Sequence, residues 1–181
     1  MTSPRVDPPF AVIDFEASSL SLSAWPELSS YPIEVGVAIA DEGGTVRVWS
    51  SLIRPDAVWK TAGEWNRKSE RAHGITREAL DAGASPVEVA SRLEAALAAF
   101  ETIWCDNARY DRHWLTVLYA TAGMAPSFEL RDVSEVLNRD RSALDRYRVR
   151  TEQGPTEHRA GPDAERICAA LLAAFGSESE L

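Results

Sequence analysis

The sequence predicts a mixed α/β fold, one β-sheet flanked by helices, on three observations. The run Phe10-Ala-Val-Ile-Asp14-Phe-Glu16 has the composition of a buried strand and ends in acids. Strands of α/β sheets bind ligands at their carboxyl ends, so this placing is suggestive. Two further runs, Ile33-Glu-Val-Gly-Val-Ala-Ile-Ala40 and residues 45–53, flank the turn signal Asp41-Glu-Gly-Gly44 and read as an antiparallel hairpin. Between and after the strands lie segments with helical apolar spacing and recognisable caps, so helices cover the sheet.

The elements follow in order. Residues 1–9 are proline-rich and read as a loose arm. The first strand covers about residues 10–15. Residues 17–32, rich in Ser and Pro, form a loop beside the Asp14/Glu16 edge. Arg54-Pro55 ends the hairpin, and residues 56–84 read as short helices and turns that include His73-Gly-Ile-Thr76. Ser85-Pro86-Val-Glu88 then starts a helix, with Ser as cap, Pro at the first helical position and Glu three residues after the cap. Val89, Leu93, Ala96, Leu97 and Phe100 give it one apolar stripe. Thr102-Ile-Trp-Cys105 is a short strand. A helix from about Ala108 carries Trp114, Leu115, Leu118 and Ala122 inward and stops at Gly123. Phe128-Glu-Leu-Arg131 reads as a short edge strand and residues 133–137 as a short helix. Residues 138–161 are charged and lack clear periodicity. The last helix starts at Pro162, turns Ala164, Ile167, Cys168, Leu171, Leu172 and Phe175 to one face, and closes at Gly176. Residues 177–181 are expected to fray.

At 181 residues the size prior gives a single domain over 1–181. Hydrophobic content of 45% and charged content of 26% are those of a soluble globular protein. No apolar run approaches the roughly 20 residues that span a bilayer, and the first residues lack the form of a secretion signal. Cys105 and Cys168 are the only cysteines and are far apart, which predicts reduced thiols, a cytoplasmic location and no structural zinc. A net charge of −9 argues against a general nucleic-acid scaffold, which normally shows a basic footprint. It leaves room for an enzyme that meets phosphate through bound cations. Arg131, Arg139, Arg141, Arg146, Arg148, Arg150 and Arg159 crowd the last third, as a phosphate-attracting surface or as an ordinary solvated face.

The chemistry begins with Asp14 and Glu16. Residues i and i+2 of a strand share a face, so these acids project together roughly 7 Å apart. Two such acids are either solvated at a strand end or bridged by a cation. Asp111 falls in the early turns of its helix and Asp163 in the first turn of the last one, each near the positive end of a helix dipole. Either could simply serve that dipole. His158 precedes Asp163 by five residues, in a stretch with Gly154, Pro155 and Gly161 that is expected to be mobile without substrate. Four carboxylates and an imidazole, the acids on three elements whose ends can meet, are what a two-metal hydrolase needs. Such sites hold two ions about 3.5–4 Å apart. A neutral imidazole can accept the water's proton, typically worth about 10²–10⁴ in rate. His73 and His113 read as structural, Trp104 and Trp114 as core, and Asp106 as a surface acid or a supporting group. Glu34 either nears the site or faces solvent. Trp25 is a stacking or a packing residue.

Asp14-Phe-Glu16, Asn107-Ala-Arg-Tyr-Asp111 and His158-Arg-Ala-Gly-Pro-Asp163-Ala164 together resemble the three motifs of the DEDDh 3′–5′ exonucleases. This family of the ribonuclease H-like superfamily includes proofreading subunits of replicative polymerases, ribonuclease T and oligoribonuclease. Residues 31–36 and 73–76 resemble family features between the motifs, so the likeness runs from about Phe10 to Phe175. It implies the ribonuclease H-like exonuclease fold and two Mg²⁺ or Mn²⁺ ions. Asp14, Glu16 and Asp163 would hold the ion that activates water. Asp14 and Asp111 would serve the second ion, and His158 would be the general base. The implied reaction releases nucleoside 5′-monophosphates from the free 3′ end of single-stranded or short RNA or DNA. One departure concerns the end-binding loop, where Ser19 stands in place of a family Gly that lets backbone approach the terminal nucleotide. There the resemblance implies that Leu20 wedges against the last base and that Ser18 or Ser19 bonds near the 3′ hydroxyl. No membrane partner is expected. The choice between RNA and DNA, and whether the chain forms a homodimer, stay open. The alternatives are a nuclease-like module that binds a nucleic-acid end or a protein without cleaving, and a phosphatase of small phosphoesters.

Overall fold

The computed structural model describes residues 5–20, 30–153 and 157–176. Among them, five strands form one sheet in the order β3-β2-β1-β4-β5: β1 Phe10–Ala17, β2 Pro32–Ala40, β3 Val46–Leu52, β4 Thr102–Cys105 and β5 Glu129–Asp132. β1 pairs antiparallel with β2 and parallel with β4, β2 pairs antiparallel with β3, and β4 runs parallel to β5. The helices are α1 Ala57–Ala62, α2 Arg67–His73, α3 Pro86–Leu97, α4 Ala108–Ala122, α5 Ser134–Leu137, α6 Arg141–Thr151 and α7 Ala160–Phe175, with a 3₁₀ turn at Glu78–Ala82. The expected mixed α/β architecture, a sheet covered by helices, is the one observed.

Side-chain alternation along β1 separates two cores. Ala11, Ile13 and Phe15 join Val89, Leu93 and Leu97 of α3 and Leu115 and Leu118 of α4. Phe10 and Val12 point the other way, onto Ala164, Ile167, Cys168 and Leu171 of α7. Ile13, Leu93, Leu118, Ile167 and Leu171 are fully buried. Each such side chain contributes roughly 1.5–3 kcal/mol, which anchors β1 firmly enough for its last residues to carry acids. The parity that sends Phe10 and Val12 toward α7 sends Asp14 and Glu16 there too.

The α3 start is the capping box read from its sequence: Ser85 Oγ accepts from Glu88 N and the Glu88 carboxylate accepts from Ser85 N. Gly123 ends α4 in the left-handed conformation at φ 66°. Three local expectations are corrected. Residues 138–161 are not aperiodic, because Asp140 caps α6 by accepting from Ala143 N. Its inner face is only Ala143, Leu144 and Tyr147, too thin a stripe to register among four arginines. α7 starts at Ala160, two residues before Pro162. Residues 5–9 do not hang loose: Val6 is buried in the α7-side core, and the Arg5 guanidinium donates to the Phe175 carbonyl. Residues 1–4 and the tail 177–181 lie outside the described residues. No helix among the described residues is long and apolar enough to cross a membrane.

Candidate active site

The start of α7 rests directly on the acidic end of β1. Asp14 pairs with Gly36 across the β1–β2 ladder and Glu16 pairs with Glu34, before a bulge between Glu16 and Ala17. A Cβ on Gly36 would lie 2.0 Å from the Ala160 carbonyl oxygen, so only glycine lets the helix come down at this point. Glu34 secures the contact. Its carboxylate accepts from Arg159 Nε at 2.9 Å, from the other arm of that guanidinium at 2.6 Å and from Ala160 N at 3.0 Å. Glu34 is therefore buried at 2% exposure and caps α7 from a different element, a task normally given to the residue before the helix.

Asp163 and His158 are delivered by that contact. Asp163 is buried in the first turn of α7 and accepts from Arg166 Nε at 3.3 Å. His158 is exposed, one residue before Arg159, and adopts the left-handed backbone region at φ 51°. One ligand-type atom from each of Glu16, His158 and Asp163 lies within 4.8 Å of the others. The third element is α4. Asp132 of β5 accepts from Ala108 N at 3.0 Å and from Ser134 N at 2.9 Å, tying the α4 start to the sheet edge. That places Asp111 inside the protein, where its Oδ2 has no hydrogen-bond partner among the described residues.

The acids share one electrostatic field. Burial pushes the Asp14 carboxyl well above the usual range, and the nearby charges of Asp111, Asp106, Glu16 and Asp163 push it further. Glu16 is pushed up to about 8, first by burial and then by Asp163 and Glu34, with Arg159 opposing. Burial, followed by Asp106, raises Asp111. Asp106, an exposed residue whose carboxyl is partly desolvated, is raised by that desolvation, with Arg166 opposing. Crowded acids, one with an orphaned buried oxygen, fit a hard divalent cation; oxygens plus one imidazole are a donor set such an ion accepts. The five candidate residues thus come from β1, α4 and the α7 start to one end of the sheet.

Two of the three residues expected to meet a terminal nucleotide are buried. Ser18 is 1% exposed, and its hydroxyl accepts from Tyr31 N at 3.1 Å while its own N–H donates to the Tyr31 carbonyl. Ser19 is buried as well. Their side chains point into the protein, so neither presents a hydroxyl to a nucleotide. Leu20, by contrast, is 65% exposed. Trp25, Gly154 and Pro155 lie outside the described residues. His73 Nδ1 accepts from Ile75 N while its buried Nε2 has no hydrogen-bond partner among the described residues, and His113 Nε2 lies 3.3 Å from the Ser30 carbonyl. Trp104 and Trp114 are buried. Sequence reasoning left out Glu34 and passed over Asp132 and Gly36. An acid inside the apolar run Ile33-Glu-Val was the one available signal for Glu34.

No family model matches the sequence, and no curated protein does. Solved structures match its fold. E. coli exonuclease I in a zinc-bound complex with single-stranded DNA aligns at a TM-score of 0.69 and 12% identity, over 96% of this chain and 42% of that one. The same enzyme with a dA16 oligonucleotide gives 0.68 and 15%, over 92% and 41%. A 3′-exonuclease solved for its recognition of the histone mRNA stem-loop 3′ end gives 0.68 and 14%, over 97% and 67%. At these identities the likeness is one of fold: a mixed five-stranded sheet with flanking helices. The chain spans about two fifths of the length of exonuclease I.

Proposed function

We propose that this chain is a divalent-metal-dependent 3′–5′ exonuclease of the DEDDh type, acting on single-stranded or short nucleic acid. The observation that carries the reading is the meeting of Glu16, His158 and Asp163 within 4.8 Å, over the strand end where Asp14 and Asp111 crowd. The shared fold with 3′-exonucleases supports it. Asp14, Glu16 and Asp163 would hold one Mg²⁺ or Mn²⁺ ion, and Asp14 with Asp111 the second. When bound, such ions neutralise charge on the phosphate oxygens and acidify the attacking water.

The chain's own residues do the rest. His158, exposed at the lip of the site, accepts a proton from water as its oxygen bonds to the terminal phosphorus. The bond from phosphorus to the 3′ oxygen of the shortened strand breaks, and that oxygen is protonated from solvent. A nucleoside 5′-monophosphate leaves. Glu34 and Arg159 fix the segment bearing His158, and Gly36 sets its distance from Asp14. Leu20 offers an apolar face to the last base.

The test is release of mononucleotides from a 3′-labelled oligomer, in matched RNA and DNA forms, with Mn²⁺ or Mg²⁺ and with EDTA. Stepwise release that EDTA abolishes is expected. Tight binding without release would make the chain a recognition module, and turnover of p-nitrophenyl phosphate alone would make it a phosphatase.

A further inference from the structure

Helix α6 departs from the rest of the chain in charge. The whole sequence has 28 acidic and 19 basic residues, whereas α6 sets Arg141, Arg146, Arg148 and Arg150 against Asp145 alone. Ser142, Arg146, Val149, Arg150 and Gln153 recur at helical spacing and so share a face. That face, with Arg141 and Asp145, lines an open cavity of about 680 Å³ against Ala173 of α7, three arginines to one acid. Arg150 and Gln153 also line a second cavity of about 320 Å³, and its other wall carries Pro162 and Asp163. The two cavities share Arg150 and Gln153, so they adjoin at the end of α6, and the second of them reaches Asp163 at the start of α7.

The side chains of these adjoining cavities divide by what they already hold. Arg146 is committed, donating to the Ala174 carbonyl and to Ser142 Oγ and so fixing α6 to the end of α7. Arg141 makes only a solvent-exposed contact to Asp145, worth little. Arg150 has no side-chain hydrogen bond or ion pair among the described residues. Val149 is 58% exposed beside it, an apolar surface set among cations. Glu157 and Glu165 border the second cavity, so an anion is favoured on its α6 side.

We infer that these adjoining cavities bind the phosphodiester backbone of the strand whose 3′ end lies at the acid cluster. Arg141 and Arg150 meet phosphates upstream of the bond that is cut, and Val149 meets a sugar or base between them. The assignment rests on the exonuclease reading above. Continuity with Asp163 favours a nucleic-acid strand over an acidic peptide, which would meet the same cations without reason to extend toward the site.

The experiment measures binding of a fluorescent single-stranded 12-mer by anisotropy in EDTA, so it does not depend on cleavage. The variant is Arg141→Gln/Arg150→Gln, with Arg71→Gln/Arg92→Gln, exposed on α2 and α3, as the control of equal charge. Affinity of the α6 variant should fall about tenfold near 0.1 M salt, and the slope of log affinity against log salt should shrink by about 1.4, two lost phosphates at about 0.7 each. The control should keep the wild-type slope. Equal losses in both variants, or none in the α6 variant, overturn the assignment. Arginine-dependent capture of a poly-glutamate peptide in place of the 12-mer would overturn it in favour of a protein ligand. Failure of metal-dependent release with an intact arginine-dependent slope would sink the exonuclease reading alone.

Discussion

Glu16 and Glu34 face each other across the β1–β2 ladder, and their circumstances are opposite. Glu34 receives three donors, two from Arg159 and one from Ala160 N, so its charge is satisfied by the protein itself. Glu16 faces Asp163 and Glu34 with only Arg159 to oppose them, and it holds its proton to about pH 8. Asp132 and Asp111 repeat the contrast: the first accepts from two backbone N–H groups, while the second keeps a buried oxygen without a partner. The role of a carboxylate here is read from what faces it. Saturated acids hold elements in place, and the starved ones are those that the proposed mechanism gives to cations.

The strongest way to break this contrast is Asp14→Asn. On the proposed mechanism it removes the acid shared by both ions, and turnover should fall roughly 10³-fold, the several kcal/mol that metal charge supplies. The fold should respond in the other direction. Relieving like-charge crowding should raise the melting temperature in EDTA, by about 2–4 °C for each kcal/mol relieved. A fall in melting temperature would mean that Asp14 is not starved. The metal-free wild type gives a companion sign. Folded Glu16 binds a proton up to about pH 8, against an ordinary value of 4.5, so the native state holds the extra proton between those limits. Stability in EDTA should therefore decline as pH rises from about 4.5 toward 8, and Mn²⁺ should flatten the decline.

His158→Ala comes next, at about 10²–10³ in kcat, with Mn²⁺ affinity retained because carboxylates carry most of the ligation. Isothermal titration with Mn²⁺ separates the outcomes: lost affinity with an unchanged chemical step would make His158 a ligand and no base. Glu34→Gln should act more mildly and through position. It breaks the charge-assisted grip on Arg159, costing about 1–3 kcal/mol, and loosens the segment that carries His158. We expect a roughly tenfold drop in kcat, Mn²⁺ binding that persists, and a melting temperature that falls in EDTA, opposite to Asp14→Asn. An unchanged kcat would reduce Glu34 to a packing residue.

The same contrast explains what could be read from the sequence. Asp14 and Glu16 were legible because strand alternation is local and apolar residues flank them. Asp111 and Asp163 were legible because each sits near a helix start with a recognisable signal. Glu34 and Asp132 were not, since their partners lie 125 and 24 positions away and no spacing rule links them. The same holds for Ser18, whose inward turn depends on the Tyr31 backbone 13 residues on. Val6, a lone apolar residue before two prolines, gave no periodicity, so its burial could only come from the tertiary fold. Helix α6 hid because its buried stripe is three residues wide.

The smallest expected effect belongs to Leu20→Ala, and its smallness in the free protein is what makes it informative. Leu20 is 65% exposed directly after two buried serines, so removing its side chain leaves no cavity and should shift stability by less than about 0.5 kcal/mol. Any change in catalysis then reports contact with substrate. If Leu20 packs against the terminal base, losing part of that burial, about 1 kcal/mol, should raise KM roughly fivefold. The rise should be the same for RNA and DNA, because an apolar wedge meets the base and ignores the 2′ hydroxyl. A KM that stays put would move the terminal nucleotide away from Leu20, and Ser18 would then serve only to hold the Tyr31 backbone beside β1.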